Sequence, residues 1–287
     1  MKLATILLGG QYRVAIVAED QPARLLIARW RSVGDVIRAG VAPHTLEIER
    51  EIDGVDHLIL AAPIPLPARN IFCVGKNYRD HAHEFAQSGF DAGGAADAVP
   101  AAAIIFSKVP DCVIATGEPI MFDPAISASI DYEGELAVII GTGGYRISRA
   151  QAMAHVWGYT ILNDVTARDV QSRHQQWLIG KSFDTFCPMG PWAVTADEID
   201  LANTTLRTWV NGEKRQDANT ADLIFDVPAI IEALSAGITL KPGDIIATGT
   251  PAGVGIGFKP PRYLQNGDQV AVEISGIGRL ENEVRTV

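Results

Sequence analysis

The sequence predicts an α+β protein, and three features carry that prediction. Apolar, β-branched runs of strand length recur along the 287 residues. Helical patterns are short and interspersed among them. No regular β–α–β alternation appears, which argues against a doubly wound parallel sheet. Hydrophobic residues at 47% and charged residues at 20% suit a soluble globular chain, long enough for one large domain and one small one.

Residues 1–65 alternate strand-like runs, Lys2 to Leu8 and Arg13 to Val17, with polar turns. Ser32 is placed to cap a short helix over Val33 to Ala39. Pro63, Pro65 and Pro67 predict a stiff, extended linker. The division expected is a small β-rich N-terminal domain, 1–65, followed by a domain over 70–287 that carries the chemistry.

Ile71 to Val74 reads as a buried strand leading into a polar segment. If residues 79–85 are helical, His81 and Glu84 share a face and His83 points elsewhere. A histidine oriented by a carboxylate suits general-base work. The competing readings are an incidental exposed pair, or a zinc site of His81 and His83, which a strand would favour and a helix would separate. Ser88 to Ala96 is glycine-rich and low in complexity, the pattern of a mobile loop or lid. Ile104 to Lys108 is a further strand, with Lys108 read as a surface or supporting residue rather than a catalytic one.

The stretch Asp131-Tyr132-Glu133-Gly134-Glu135-Leu136-Ala137-Val138-Ile139-Ile140 carries the strongest signal. Its apolar half is a buried strand, and residues two apart share a face, so Glu133 and Glu135 should lie side by side. Like charges held together call for compensation, and a hard divalent cation takes oxygen ligands. A solvent-facing strand end is the alternative. The next apolar run, Trp157 to Leu162, ends at Asp164, which can add a third carboxylate. A helical turn after it would stack Asp164, Arg168 and Gln171 at i, i+4 and i+7, although Arg168 could equally form a plain salt bridge to Asp164. Ser148 predicts a helix through Val156 with Ala150, Met153 and Ala154 facing inward. Lys181 follows an apolar segment, and a lone lysine there is ordinarily solvent-facing.

Towards the C-terminus, Asn211-Gly212 marks a type I′ hairpin, and Asp226, Pro228 and Gly237 bracket a helix. The glycine-rich run Thr248 to Gly255 is interrupted by Pro251 and lacks a Gly-Lys-Ser/Thr triplet, so it is no phosphate cradle. Gly267 to Val284 reads as strand–turn–strand. A net charge of −10 argues against nucleic acid or an anionic membrane as partner. Cys73, Cys112 and Cys187 are odd in number and unpaired in spacing, which fits buried thiols in a reducing compartment. No run reaches the ~18 apolar residues of a membrane span, so a cytoplasmic protein is expected.

Five motifs occur in order: Val-Gly-Lys-Asn-Tyr-Arg-Asp-His-Ala-His-Glu from Val74, Asp-Tyr-Glu-Gly-Glu-Leu from Asp131, Asn-Asp-Val-Thr-Ala-Arg-Asp-Val-Gln from Asn163, Gly-Lys-Ser-Phe-Asp-Thr-Phe from Gly180, and Thr-Gly-Thr-Pro-Ala-Gly-Val-Gly from Thr248. Over roughly residues 70–287 the sequence resembles the fumarylacetoacetate hydrolase family, in its smaller bacterial branch of acylpyruvate hydrolases, hydroxyheptadienedioate-type isomerases and oxaloacetate decarboxylases. The resemblance implies a mixed β-roll or barrel-like core and a homodimer. It implies Mg²⁺ or Mn²⁺ on Glu133, Glu135 and Asp164, and a small 2-oxo acid substrate fixed by Arg168, Gln171 and Thr250. It also implies a His81–Glu84 dyad that activates water and Lys181 beside the developing enolate. The reaction expected first is hydrolytic C–C cleavage of an acylpyruvate- or fumarylpyruvate-type β-diketo acid. Oxaloacetate decarboxylation, isomerisation of a hydroxymuconate-type diacid, and a non-catalytic metal-binding role remain as alternatives.

Overall fold

The computed structural model describes residues 1–17, 24–53, 59–87 and 99–287. Strands dominate and the helices are short, the longest described one being the 9-residue Val227–Ser235. The main sheet runs, in spatial order, Ile48–Asp53, Arg24–Ala28, Gln11–Val17, Lys2–Leu8, Cys187–Thr195, Val156–Asn163, Gly134–Ile140, Ile245–Ala247, Ile71–Gly75 and Ile104–Lys108. A second sheet runs Glu213–Asn219, Thr205–Val210, Gln269–Ile274, Gly278–Thr286 and Ile120–Phe122. Pairing is mixed: most neighbours are antiparallel, while Ile245–Ala247 lies parallel to Ile71–Gly75. This is the mixed-sheet α+β roll expected.

The strand Gly134–Ile140 shows why the sheet has two cores. All of its residues are buried, because a central strand covered on both faces has no solvent side. Strand alternation sends Ala137 and Ile139 into one cluster with Ile71, Leu162 and Met189. It sends Leu136, Val138 and Ile140 into another with Ile230, Ile231 and Val272.

The described strands of residues 1–65 are woven into the same sheet. Lys2 and Leu3 pair antiparallel with Val194 and Ala193, and Leu3, Val14 and Val33 share the first core cluster with Ile139. The proline-rich segment is packed rather than strung out, with Ala62 and Ile64 buried and Thr5 Oγ1 donating to the Pro63 carbonyl at 2.8 Å.

Local expectations hold where one side chain decides them. Ser32 caps Val33–Arg38 by accepting from the Asp35 N–H at 3.1 Å. Asp226 caps Val227–Ser235 by accepting from the Ala229 N–H at 2.9 Å. Asn211 and Gly212 both take positive φ between Thr205–Val210 and Glu213–Asn219, as a type I′ turn requires. The helix from Ser148 does not form. Ser148 Oγ instead bonds Gln151, a single 3-10 turn spans Ala152–His155, and Met153 and Ala154 are exposed while Ala152 alone faces the core. The three cysteines are buried and unbridged. The glycine-rich stretch read as a lid, Ser88 to Ala96, lies outside the described residues. Among described residues no helix is long and apolar enough to cross a membrane.

Candidate active site

The site forms where the main sheet turns out of its core. Asp131 ends the short strand Ile130–Asp131, and Glu133 and Glu135 flank Gly134 at the start of the next strand. Asp164 follows Val156–Asn163, and its N–H donates to the Glu133 carbonyl at 2.8 Å. Ligand atoms of Glu133, Glu135 and Asp164 thereby fall within 4.8 Å of one another, all three residues buried. The solvent-facing alternative for the glutamates is excluded.

Two buried lysines enter this cluster. Lys181 Nζ lies 2.7 Å from Glu133 Oε2 and 2.8 Å from Asp164 Oδ2. Lys108 Nζ lies 2.7 Å from Asp164 Oδ1 and also donates to the Val165 and Lys181 carbonyls. Lys108 is 0% exposed, so of its two readings the surface one fails, while its contact with Asp164 fits the supporting one. Burial is the largest influence and opposes its charge, but Asp164 together with the neighbouring Cys112, Cys187 and Cys73 leaves the pKa raised and the ammonium protonated.

The expected column of Asp164, Arg168 and Gln171 does not form. The helix is Arg168–His174, and it starts at Arg168 because Thr166–Ala167 is held extended against Ile130–Asp131. Arg168 therefore pairs with Asp131 at 2.8 Å and Glu133 at 2.7 Å rather than with Asp164. Its Nη1 also donates to Gln171 Oε1 at 3.3 Å. Asp131 is locked in turn by the Gly255 and Ile256 N–H groups at 2.6 and 3.0 Å. Its role was missed from sequence. The only clue was its place at the head of the acidic motif.

Electrostatics divide the trio. Burial pushes the Glu133 carboxyl up, but Lys181, Arg168 and His81 overcome it and hold the group at about 2. Glu135 is driven well above the usual carboxylate range by burial and by Asp164 and Glu133. It receives the Gly249 N–H at 2.6 Å, from a residue whose φ of 103° favours glycine. Glu135 is thus the carboxylate with no cationic ion-pair partner among the described residues. An oxygen-only donor set with one uncompensated buried carboxylate fits a hard divalent cation, which would remove that penalty.

A small pocket opens over the cluster, with Glu133, Arg168, Gln171, Lys181, Thr250 and His81 in its lining. Phe85, Phe106 and Trp177 close its apolar side. Arg168 Nη2 is buried with no hydrogen-bond partner among the described residues. A buried, unspent guanidinium donor beside a pocket is a waiting site for a carboxylate.

His81 and Glu84 sit on Arg79–Ala86, with His81 Nδ1 and Glu84 Oε2 3.4 Å apart. His83 is exposed, so the zinc alternative with His81 finds no geometry. Glu84 is anchored by the Gly253 N–H at 3.1 Å. His81, Glu133, Arg168, Gln171, Lys181 and Thr250 thus share one pocket lining, with Glu84 beside His81 and with Glu135 and Asp164 in the carboxylate cluster next to it.

Comparison with known proteins shows the family. Residues 70–285 match the family model for fumarylacetoacetate (FAA) hydrolase C-terminal. Oxaloacetate tautomerase YisK of Bacillus subtilis is 50% identical over 226 residues, covering 78% of this chain and 72% of that protein. A fumarylacetoacetate hydrolase structure from psychrophilic Exiguobacterium antarcticum superposes with a TM-score of 0.86 at 41% identity, covering 100% of both chains. A 2-hydroxyhepta-2,4-diene-1,7-dioate isomerase from Mycobacterium marinum gives 0.79 at 36% identity, covering 100% of this chain and 98% of that one. The chain belongs to the fumarylacetoacetate hydrolase family of enzymes.

Proposed function

We propose that the protein interconverts the keto and enol forms of a small 2-oxo dicarboxylate of the oxaloacetate type, with Mg²⁺ or Mn²⁺ held by Glu133, Glu135 and Asp164. The observation that carries this reading is a convergence in one pocket. A buried guanidinium with one unspent donor, a buried ammonium and Glu133 of the three-carboxylate cluster face the same small space. The similarity to an oxaloacetate tautomerase and to a dienedioate isomerase supports it.

Bound there, the cation supplies Lewis-acid polarisation of the 2-oxo group. Arg168 Nη2 and the Thr250 hydroxyl bind carboxylate oxygens, and Gln171 buttresses Arg168. Ketonisation breaks the enol O–H bond and forms a C3–H bond; the reverse step does the opposite. His81 carries the proton at C3, with Glu84 facing Nδ1 so that Nε2 is the exchanging nitrogen. Lys181 stabilises the negative oxygen of the enolate, where charge develops. The aromatic wall of Phe85, Phe106 and Trp177 keeps bulk water from that charge.

Hydrolysis of an acylpyruvate-type β-diketo acid is the second reading. The His81–Glu84 pair favours it, because the same base can take a proton from water and leave a pyruvate enolate on the same stabilising groups. The deciding experiment follows loss of enol absorbance from oxaloacetate with Mg²⁺ or Mn²⁺, alongside a separate assay for pyruvate. Accelerated decay without pyruvate is the expected result. No acceleration over the uncatalysed rate with either metal would sink the tautomerase reading, and acylpyruvate cleavage by the same preparation would put hydrolysis in its place.

A further inference from the structure

We propose that Gln216 is a positioning residue that fixes the direction in which Thr250 donates its proton, making that hydroxyl a dedicated donor to a substrate carboxylate oxygen. The inference rests on the reading of Thr250 as a carboxylate ligand and deepens it.

Gln216 belongs to the second sheet, on Glu213–Asn219, where it pairs opposite Thr208. It is 1% exposed, and its side chain reaches the main-sheet site past Gly134. The glycine between the two glutamates keeps this space open: a Cβ at 134 would run into Thr208 Oγ1 and Val272, and press less severely on Gln216 Oε1.

The amide has one possible orientation. Its Oε1 accepts the Gly134 N–H at 3.1 Å, while its Nε2 donates to the Pro251 carbonyl at 2.8 Å. Both partners are backbone groups of fixed polarity, so flipping the amide would set donor against donor and acceptor against acceptor. The second Nε2 hydrogen goes to Thr250 Oγ1 at 2.7 Å. An amide nitrogen only donates, so Thr250 is the acceptor in that bond and its own hydroxyl proton is unspent. No described residue accepts it. Thr250 is 2% exposed and lines the pocket, so the acceptor left for that proton is a bound ligand. A carboxylate oxygen, which only accepts, matches; a group that can only donate does not.

The probe is oxalate titrated calorimetrically into the Mg²⁺-loaded protein, with KM and kcat measured on the accepted 2-oxo acid. Gln216→Glu replaces the donor with acceptors, so Thr250 turns its proton away from the ligand. Oxalate affinity should fall roughly tenfold or more, the worth of a hydrogen bond to a charged group, and KM should rise by more than kcat falls. Thr250→Val should show the same loss, Thr250→Ser should restore affinity, and Gln216→Glu in the Thr250→Val background should add nothing. Should Gln216→Glu fail to fold, Gln216→Asn retracts the amide from Thr250 and carries the same test. Unchanged oxalate affinity in the Gln216 variant, or an equal loss in the Thr250→Val background, overturns the inference while leaving Thr250 as a ligand. Wild-type affinity in Thr250→Val overturns the Thr250 reading itself.

Discussion

On the sheet side of the pocket, Glu133, Asp164, Arg168 and Lys181 are each 5% exposed or less and hold one another at 2.7–2.8 Å. On the helix side, His81 meets Glu84 at 3.4 Å and the Glu84 side chain is 17% exposed. The sheet side is preorganised: its charges are desolvated and fixed by the fold itself, which is what stabilising an enolate demands. The helix side rests on one short helix and a long contact of the kind that tightens when substrate arrives. In the proposed reaction, binding and charge stabilisation would thus fall to the core, and proton transfer to its edge.

The largest effect should come from breaking the sheet side. Chelator treatment, or Asp164→Asn, should reduce turnover to the uncatalysed background, since Asp164 both completes the carboxylate trio and receives the two lysines. Steady-state assays with and without added Mg²⁺ check this, and full activity in excess chelator would remove the metal from the mechanism. Breaking the helix side should hurt rate and spare binding. His81→Ala should lose on the order of 10²–10⁴-fold in kcat, the usual worth of general acid–base assistance, with oxalate affinity retained. Glu84→Gln should lose less, and the double variant should not multiply the two losses, because the residues act as a unit. Near-wild-type turnover in His81→Ala would assign the proton to another group.

Lys108 belongs to the sheet side although it does not line the pocket. Lys108→Met should destabilise the fold by about 3–5 kcal/mol, because it strips one cation from a buried carboxylate. Urea denaturation with metal present measures it. A loss under about 1 kcal/mol, the scale of a surface pair, would mean that Lys181 alone neutralises Asp164.

This contrast also marks what the sequence disclosed. Lys181 was placed only by resemblance to the family, whereas the Glu133/Glu135 and His81/Glu84 pairs were legible because a spacing of two or three residues fixes a shared face. The partners of Lys108, Asp131 and Gln216 were not, because they lie 56, 37 and 34 residues away and meet them only through sheet topology. The failure of the Asp164–Arg168 stack has the same origin. Local helical spacing argued for it, but pairing of Thr166–Ala167 with Ile130–Asp131 delays the helix and hands Arg168 to different carboxylates. The helix expected from Ser148 failed for a related reason: propensity favoured it, yet only Ala152 found a core to pack against.

The smallest predicted effect separates two carboxylates two residues apart. In the metal-free protein Glu133 is held at about 2, below its ordinary value of 4.5, by Lys181 and Arg168 against the push of burial. A depressed carboxylate contributes stability that is present above pH 4.5 and disappears as pH falls towards 2. That contribution is on the order of 3 kcal/mol, so Glu133→Gln should lower Tm at neutral pH and flatten the acid limb. Glu135 is raised instead, by burial and by Asp164 and Glu133, so the sign reverses. Its contribution is favourable below pH 4.5 and turns unfavourable as pH rises and the group is forced towards ionisation. Glu135→Gln should therefore stabilise the metal-free protein at neutral pH, and a gain of about 1 kcal/mol would show as roughly 2–4 °C in Tm. Added Mg²⁺ should invert that ranking, because wild type gains the cation's binding energy and the variant has lost a ligand. Melting curves from pH 3 to 9, with chelator and then with Mg²⁺, read all of this. If Glu135→Gln without metal loses as much stability as Glu133→Gln, Glu135 is not the uncompensated carboxylate, and the case for a cation at this trio loses its electrostatic support.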